Sequence, residues 1–408
     1  MQQMGRVMRT VYRAARIIDG TGQDPCLNSV LIVEGRLIEG IVPETQIGKD
    51  QPIVDLGDCT LLPGLIDSHV HLADDGSPQP RKLVENEPAG LTILRSAQRA
   101  LASLQSGVTA LRDMGAPSGA IPAVKDAVNL GVINGPAILT CDTQLTITGG
   151  YGRQHNVLGR EVDGPDEMRK VVRDLFKCGA DFVKLMASGK VSVAGPALDA
   201  CQFTPEEMAA AVNEAHRLGR KVSVHAVGLG AIEASIRAGV DCVEHGSFLT
   251  EELAREMAAR GIALIPTLVP YYVLAHPPRE LVLPEEVKKR AERTWKVALN
   301  AVRMARAHGL RIGAGTDSGG PCIPHNSLPR ELELLVSAGF TAMQALESAT
   351  RINADILDIA QTGSLEKGKL ADVIAVDGNP LENIHAIAKV RMVLKDGRNI
   401  PLESPLKN

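Results

Sequence analysis

A repeated local plan constrains the fold of this chain more than any other feature of its sequence. From about residue 64 to residue 317, a segment with helical periodicity is followed by a glycine and then by a short apolar run rich in β-branched residues. Gly219, Gly239 and Gly309 occupy the middle position in three of these units. Glycine suits the left-handed cap that ends a helix, a conformation that other residues adopt at a steric cost. Each unit therefore predicts a helix, a cap and a strand.

Eight strands follow from this plan. The first is expected to end at His71, and the others to cover 108–113, 137–142, 181–187, 221–226, 241–246, 262–268 and 311–317. Apolar strands that alternate with helices indicate a parallel sheet covered on both faces, and the number eight favours a closed (β/α)8 TIM barrel of the α/β class. An open, doubly wound sheet is the alternative. The missing Gly-x-Gly-x-x-Gly turn after an early strand counts against that alternative.

The two ends of the chain have another pattern. Residues 1–62 and 364–408 alternate short strands with turns, and Asp396-Gly397 is a typical tight-turn pair. The sequence predicts a small composite β-domain, a β-sandwich made of 1–62 plus 364–408, flanking a barrel domain that covers 63–363.

Charge and cysteine content limit the partners and the compartment. Lys and Arg number 44 against 48 Asp and Glu, mixed along the chain, so neither nucleic acid nor a membrane is expected as a partner. No stretch approaches the roughly 20 apolar residues that span a bilayer. The seven cysteines are scattered and never spaced as Cys-x-x-Cys, which favours free thiols in a reducing compartment. We expect a cytoplasmic protein.

Two histidines end the first predicted strand. Because side chains on a strand repeat with period two, His69 and His71 project from one face and can bind one metal ion together. The alternative is a structural pair of histidines satisfied by backbone or carboxylate partners.

Three further polar residues end predicted strands. His225 ends the fifth, His245 the sixth and Asp317 the eighth. The carboxyl ends of barrel strands meet on one rim, where the functional residues of TIM barrels lie. A lone His225 or His245 is typical of a satisfied core histidine, but unrelated structural residues would scatter over both rims. The grouping therefore predicts metal ligands.

Lys184 lies inside an otherwise apolar strand, where burial strongly disfavours an unpaired ammonium. A salt bridge, a Schiff base with a carbonyl substrate, or conversion of the amine into a metal-binding anion would each resolve this. The neighbouring ligands favour the last. A carboxylated lysine has two oxygens and could bridge two divalent ions, with His69, His71 and Asp317 around one ion and the other two histidines around the second.

Several motifs, in order over nearly the full length, resemble the amidohydrolase superfamily. The resemblance is to its binuclear branch, which contains imidazolonepropionase-like proteins and prolidase or arginine carboxypeptidase-like dipeptidases. The matching motifs are Pro63-Gly-Leu-Ile-Asp-Ser-His-Val-His71, Val183-Lys-Leu-Met-Ala-Ser-Gly189, Val224-His-Ala226, Val243-Glu-His-Gly246, Pro266-Thr-Leu268, Gly315-Thr-Asp317 and Gly368-Lys-Leu-Ala-Asp-Val-Ile374.

The resemblance implies a cofactor and a reaction. Carboxylated Lys184 would bridge two divalent metal ions, with zinc preferred, and a hydroxide between them would attack an amide carbonyl. Asp317 would act as general base and then as general acid toward the leaving nitrogen. The expected substrate is a small amide, an N-acyl amino acid or a dipeptide. A cyclic amide, carbamate, aryl urea or xenobiotic amide without a free carboxylate is the alternative, and a homo-oligomer is expected.

The substrate pocket departs from the pattern of these relatives. Where they commonly have a histidine after Thr-Gly-Gly, this chain has Tyr151, and either Tyr151 or His155 could meet the substrate carbonyl. Val227 stands where dipeptidase-like relatives often have a tyrosine suited to a substrate carboxylate, which puts that carboxylate in doubt. Further pocket candidates are Tyr271, Tyr272 and His325, for which ordinary loop packing is the alternative.

Two other classes of function stay open. Lys184 could serve a metal-free Schiff-base lyase, but that reading leaves four histidines unexplained. A non-catalytic assembly barrel typically lacks several ligands, whereas all six are present here.

Overall fold

The computed structural model describes residues 8–150, 158–193 and 198–402. The chain divides into two compact units. Unit 1 comprises Met1–Ile66, Ser103–Ala110 and Phe340–Asn408, and unit 2 comprises Asp67–Ala102 and Leu111–Gly339. The domain boundaries expected from the sequence stay a prediction.

The strands of the described residues are numbered in chain order. They are β1 Arg9–Arg13, β2 Arg16–Ile17, β3 Ser29–Glu34, β4 Leu37–Pro43, β5 Ile53–Asp55, β6 Cys59–Pro63, β7 Leu65–Val70, β8 Val108–Asp113, β9 Ala137–Thr140, β10 Gln144–Thr146, β11 Gly159–Glu161, β12 Val183–Met186, β13 Val222–Ala226, β14 Cys242–His245, β15 Ala263–Ile265, β16 Val373–Asp377, β17 Val390–Lys395 and β18 Arg398–Asn399.

The helices are numbered in the same way. They are α1 Arg81–Asn86, α2 Ala89–Gln105, α3 Ala120–Asn129, α4 Pro165–Lys177, α5 Pro205–Arg217, α6 Leu229–Ala238, α7 Glu251–Arg260, α8 Leu268–Ala275, α9 Glu285–Ala307, α10 Leu328–Ser337, α11 Ala342–Ser348 and α12 Arg351–Leu357. Short 3-10 helices cover Glu44–Gln46 and Ile384–Ala388.

A parallel sheet alternates with helices in unit 2. Its larger part has the strand order β11-β10-β12-β13-β14-β15, and β7, β8 and β9 form a second run. Parallel bridges from Leu264 to Ile312 and from Val70 to Ser318 connect these runs through the segment that precedes α10. This is the (β/α)8 TIM barrel that the sequence predicts. The predicted glycine caps are also present, since Gly219, Gly239 and Gly309 all have φ between 67° and 78°.

The third and the eighth predicted strands differ in the structure. The third is split into β9 and β10 around Asp142, whose φ is 62° and whose carboxylate accepts a hydrogen bond from Gly119 N. The eighth, 311–317, forms only isolated bridges. There the Asp67 carboxylate accepts hydrogen bonds from Thr316 N at 3.1 Å and from Thr316 Oγ1 at 2.6 Å. Side-chain bonds thus replace part of the backbone ladder.

A β-sandwich forms the core of unit 1. One sheet has the order β4-β3-β1-β5 and the other β18-β17-β16-β6-β2. Their inner faces share one cluster of buried side chains, including Tyr12 and Leu31 from the first sheet and Leu61 and Val373 from the second. β6, near the N-terminus, pairs antiparallel with β16 from the C-terminal part of the chain. Asp396 and Gly397 both have positive φ and form the predicted turn between β17 and β18.

Within the described residues, none of the helices combines the length and the apolar character needed to cross a membrane. All seven cysteines are free thiols.

Candidate metal centre

The six predicted ligands come together in unit 2. They line one cavity at the carboxyl ends of the barrel strands, and each residue is at least 95% buried: His69, His71, Lys184, His225, His245 and Asp317. Five different segments of the sheet supply them. The sequence-based expectation that these residues meet on one rim agrees with this placement; their role as ligands stays a prediction.

His69, His71 and Asp317 form the tightest part of the cluster. The ligand atoms of these three buried side chains lie within 4.8 Å of one another. Asp317 Oδ1 is 3.6 Å from His69 Nε2 and 3.4 Å from His71 Nε2, yet Oδ1 has no hydrogen-bond partner among the residues that the structure describes.

The other ring nitrogens explain why no hydrogen bond forms there. His69 Nδ1 lies 2.7 Å from the Glu244 carboxylate, and His71 Nδ1 lies 3.2 Å from the Gly115 carbonyl oxygen. Because both partners can only accept, each Nδ1 carries the proton and donates it. Each Nε2 therefore turns a lone pair toward a carboxylate oxygen. A cation between these three acceptors would convert a repulsive arrangement into a favourable one.

His225 and His245 complete the ring of imidazoles. Their ring centroids are 4.5 Å apart, and the His245 ring is 5.1 Å from that of His69. His245 Nδ1 lies 2.6 Å from Thr267 Oγ1, which orients the ring. Burial lowers the pKa of His225 to about 3 and that of His69 to about 4, so these rings are neutral and able to coordinate a metal.

Lys184 is the buried amine that the sequence marks as anomalous. The residue is 1% exposed, and Nζ has no hydrogen-bond partner within the described part of the chain. Burial lowers the pKa of this amine, which favours the neutral form. A neutral amine is the form that adds to CO2 to give a carbamate. Four imidazoles, one carboxylate and an orphaned amine therefore fit a site for divalent metal ions with nitrogen and oxygen ligands.

A buried network of charged and polar side chains around Glu244 contacts the cluster through His69. This network was not predicted from the sequence. Glu244 Oε1 accepts hydrogen bonds from Arg112 Nη2 at 2.6 Å and from Ser223 Oγ at 2.5 Å, while Oε2 faces His69. Burial alone would raise the pKa of Glu244, but the charge of Arg112 and the hydrogen bond from His69 hold it well below its usual range. An ionised carboxylate thus fixes the tautomer of His69, as outer partners of metal-binding histidines do. The only feature of the sequence that could have indicated Glu244 is the presence of an acidic residue inside an apolar strand.

Three residues beside the cavity have left-handed backbones. The φ angles are 72° at His245, 45° at Thr267 and 55° at Asp317. This region is uncommon for residues other than glycine and is a true outlier for a β-branched residue such as Thr267. Such strain persists where the surroundings over-determine it, which is typical of functional sites.

Only some of the predicted pocket residues lie near the ligand cluster. Tyr271 is buried with its ring centroid 6.1 Å from that of His245, and Val227 is buried with its N–H donating to Ser188 Oγ. Tyr271 therefore adjoins the cluster. Tyr151 and His155 lie outside the described residues.

The remaining two predicted pocket residues have other neighbours. Tyr272 stacks on His276 with centroids 4.5 Å apart, and Arg330 lies over its ring. His325 Nε2 is 2.9 Å from the Asp74 carbonyl oxygen. Instead, the cavity is lined by four side chains that were not predicted: Arg81, Gln144, Met186 and Lys190.

Comparisons with known proteins agree with this geometry. Residues 60–400 match the family model described as the amidohydrolase family. An ochratoxinase of Aspergillus niger is 30% identical, covering 94% of this chain and 84% of that protein. An imidazolonepropionase of Pseudomonas savastanoi pv. phaseolicola is 26% identical over 86% of this chain and 88% of its own length.

Solved structures give the same result. A Xaa-Pro dipeptidase with methionine bound in its active site superposes with a TM-score of 0.88 at 30% identity, covering 96% of this chain and all of that one. The family model spans most of the chain, and three buried residues that could hold a metal ion, His69, His71 and Asp317, lie where its barrel strands end. The chain therefore belongs to the amidohydrolase family and is a metal-dependent hydrolase of amide bonds.

Proposed function

We propose that this protein is a binuclear amidohydrolase that cleaves the amide C–N bond of an N-acyl amino acid or a dipeptide. One observation carries the proposal. The orphaned amine of Lys184 shares a cavity with four buried histidines and Asp317, so a carboxylated lysine would find ligands for two cations around it.

The proposed ligand sets follow the grouping of the side chains. His69, His71 and Asp317 would hold one cation, His225 and His245 the other, and carboxylated Lys184 would contact both. The donor set favours zinc. Divalent cations here would supply a nucleophilic hydroxide near neutral pH and polarise the scissile carbonyl.

Asp317 is the proposed proton carrier. Its carboxylate would take up the proton released as the carbonyl is attacked and would deliver it to the leaving nitrogen. The positive φ of Asp317 holds its backbone in a conformation that most residues avoid, and its N–H donates to the His69 carbonyl at 2.8 Å. These constraints support a fixed position for the carboxylate.

The relatives support the substrate class. One similar structure is that of a Xaa-Pro dipeptidase, and another is of a prolidase complexed with N-methylphosphonate-L-proline, at 27% identity. A second candidate is a cyclic or otherwise neutral amide, carbamate or aryl urea. Val227, an apolar residue beside the cluster, favours this second candidate. Tyr151, His155, Val227, Tyr271, Tyr272 and His325 remain candidate substrate contacts.

Metal analysis and a substrate screen test the proposal. Purified protein should contain about two divalent ions per chain after loading with zinc, and should hydrolyse members of a panel of dipeptides, N-acyl amino acids, lactams, carbamates and aryl ureas. Fewer than about one and a half ions per chain in active protein would contradict the binuclear site. Hydrolysis of neutral amides alone would favour the second candidate.

We also propose a cytoplasmic location and a homo-oligomeric state. Seven free thiols support the first. The resemblance of the sequence to its family supports the second. Light scattering coupled to gel filtration measures the oligomeric state directly.

A further inference from the structure

Two cationic side chains line the metal-site cavity together with the proposed ligands. Arg81 belongs to α1, and Lys190 follows β12, the strand that carries Lys184. Their electrostatic situations differ. The Arg81 guanidinium donates to the Asp74 carboxylate at 3.1 Å, so its charge is compensated within the protein. Lys190 forms neither an ion pair nor a side-chain hydrogen bond with any residue in the described part of the chain.

The charge balance of the cavity makes an uncompensated lysine unusual. The neutral His69 and His225 rings contribute no negative charge, and the carboxylate of Asp317 is shared with the proposed cations. Lys190 and Asp317 line the same cavity, so Lys190 borders the space in which the proposed cations would lie. Lys190 is half-buried, and a nearby anion would stabilise a half-buried ammonium beside divalent cations. The protein supplies no anion dedicated to it among the described residues.

The proposed role of Asp317 indicates which part of a substrate would contact the Lys190 ammonium. In the proposed reaction, Asp317 delivers a proton to the leaving nitrogen, so that nitrogen lies beside Asp317. In an N-acyl amino acid, the carboxylate is attached to the carbon next to that nitrogen. A group so placed stays close to Asp317, in the cavity that Asp317 and Lys190 both line.

We propose that Lys190 binds the free carboxylate of the substrate's leaving group and thereby selects N-acyl amino acids and dipeptides over neutral amides. This inference rests on the proposed function. It also accounts for Val227, because an ammonium in the same cavity takes over the task for which a tyrosine would be suited. Lys190 is in this sense a specificity-determining residue.

The test uses metal-loaded protein and two substrates that differ only in the carboxylate. N-acetyl-L-phenylalanine and N-(2-phenylethyl)acetamide are such a pair, and the best N-acyl amino acid from the screen with its decarboxylated amide can replace them. Lys190→Met should lower kcat/KM for the acid about 10- to 100-fold, mainly by raising KM, as expected for loss of a charge-assisted hydrogen bond. The neutral amide should change less than about two-fold.

Three controls accompany this variant. Lys289→Met, at an exposed position on α9, should leave both substrates unaffected. Lys190→Arg keeps the charge and should recover part of the activity toward the acid. The metal content of Lys190→Met should equal that of wild type. Equal losses for acid and amide, or no loss for either, would overturn the proposal.

Failure of the proposed function gives a different result. If zinc-loaded wild-type protein hydrolyses neither substrate, binding of L-phenylalanine and of 2-phenylethylamine is measured by calorimetry. Weaker binding of the amino acid alone by Lys190→Met supports the role of Lys190 even then. Identical binding of L-phenylalanine by wild type and Lys190→Met contradicts it.

Discussion

Asp317 is proposed both to coordinate a metal ion and to transfer a proton, and replacement by asparagine can separate these two roles. Asparagine keeps the size of the side chain and one coordinating oxygen but cannot carry the proton. We expect Asp317→Asn to lower kcat by roughly 10²- to 10⁴-fold, the usual contribution of a general acid–base group, with an unchanged circular dichroism spectrum. Asp126→Asn, at an exposed position on α3, is the matched control. Wild-type turnover by Asp317→Asn would exclude the proton-transfer role.

Metal binding through Lys184 should depend on dissolved carbon dioxide. Because the proposed ligand is a carbamate, apoprotein loaded with zinc in CO2-free buffer should bind less metal and regain less activity than apoprotein loaded with bicarbonate present. Lys184→Met should show no bicarbonate effect, since methionine forms no carbamate. Equal metal uptake by wild type with and without bicarbonate would argue for an unmodified lysine.

Glu244 should act through His69. Replacing it with glutamine removes the negative charge that fixes the ring and leaves Arg112 without its carboxylate partner. We expect Glu244→Gln to weaken zinc affinity about 10- to 100-fold, the range found for outer partners of metal-binding histidines, as measured by competition with a chelator. Glu292→Gln, on the exposed face of α9, should keep wild-type affinity. Thermal unfolding of the apoproteins separates lost affinity from lost stability.

Single site residues can be recognised from the sequence where they break a local pattern. A histidine at a strand end and a lysine in an apolar run are visible without a structure. Glu244 and Lys190 are harder, because their roles depend on contacts between remote segments: Glu244 meets a histidine 175 positions away. Tyr272 shows the converse, since its place in the sequence resembles that of Tyr271, but it packs on His276 rather than on the cluster.

Among the helices, α5 offers a clean test of local stabilisation. Thr204 and Glu207 form a reciprocal cap at its start, with Thr204 N donating to Glu207 Oε2 at 2.8 Å and Glu207 N donating to Thr204 Oγ1 at 3.3 Å. We expect Thr204→Ala to lower the free energy of unfolding by about 1 kcal/mol in urea titrations, with activity retained. Thr204→Ser keeps the hydroxyl and should lose much less. Equal losses in the two variants would show that the methyl group, not the cap, is what matters.

The ends of helices and strands were predictable from the sequence where local chemistry determines them. Glycine caps end the helices as expected because few residues tolerate a left-handed backbone. The third and eighth strands differ since side chains of Asp142 and Asp67 bind backbone groups there, and no local pattern distinguishes such aspartates from ordinary polar residues. The seventh strand ends early for a similar reason: Glu331 accepts hydrogen bonds from Leu268 N and Val269 N, which begin α8.

For the whole molecule, metal removal should cost stability as well as activity. All six proposed ligands lie in unit 2, on segments far apart in the chain, so the ions would bind the folded barrel and not the unfolded chain. A ligand present at 100 times its Kd stabilises by about 2.7 kcal/mol. We expect a chelator to lower the Tm by several degrees and zinc to restore it. The Tm of Lys184→Met should respond less. A wild-type Tm that does not change on chelation would contradict structural coupling to the site.

The pairing of β6 with β16 has a consequence for biosynthesis. Pro63 faces Val373 in this ladder, so β6 lacks this neighbour until the ribosome has made residue 373. Such remote pairings form slowly, and an unpaired apolar edge can join another nascent chain. A chain that stops before residue 373 would leave β6 exposed on that edge. Stalled or truncated translation products of this protein should therefore aggregate, and cells would depend on chaperones to shield the N-terminal strands until synthesis is complete.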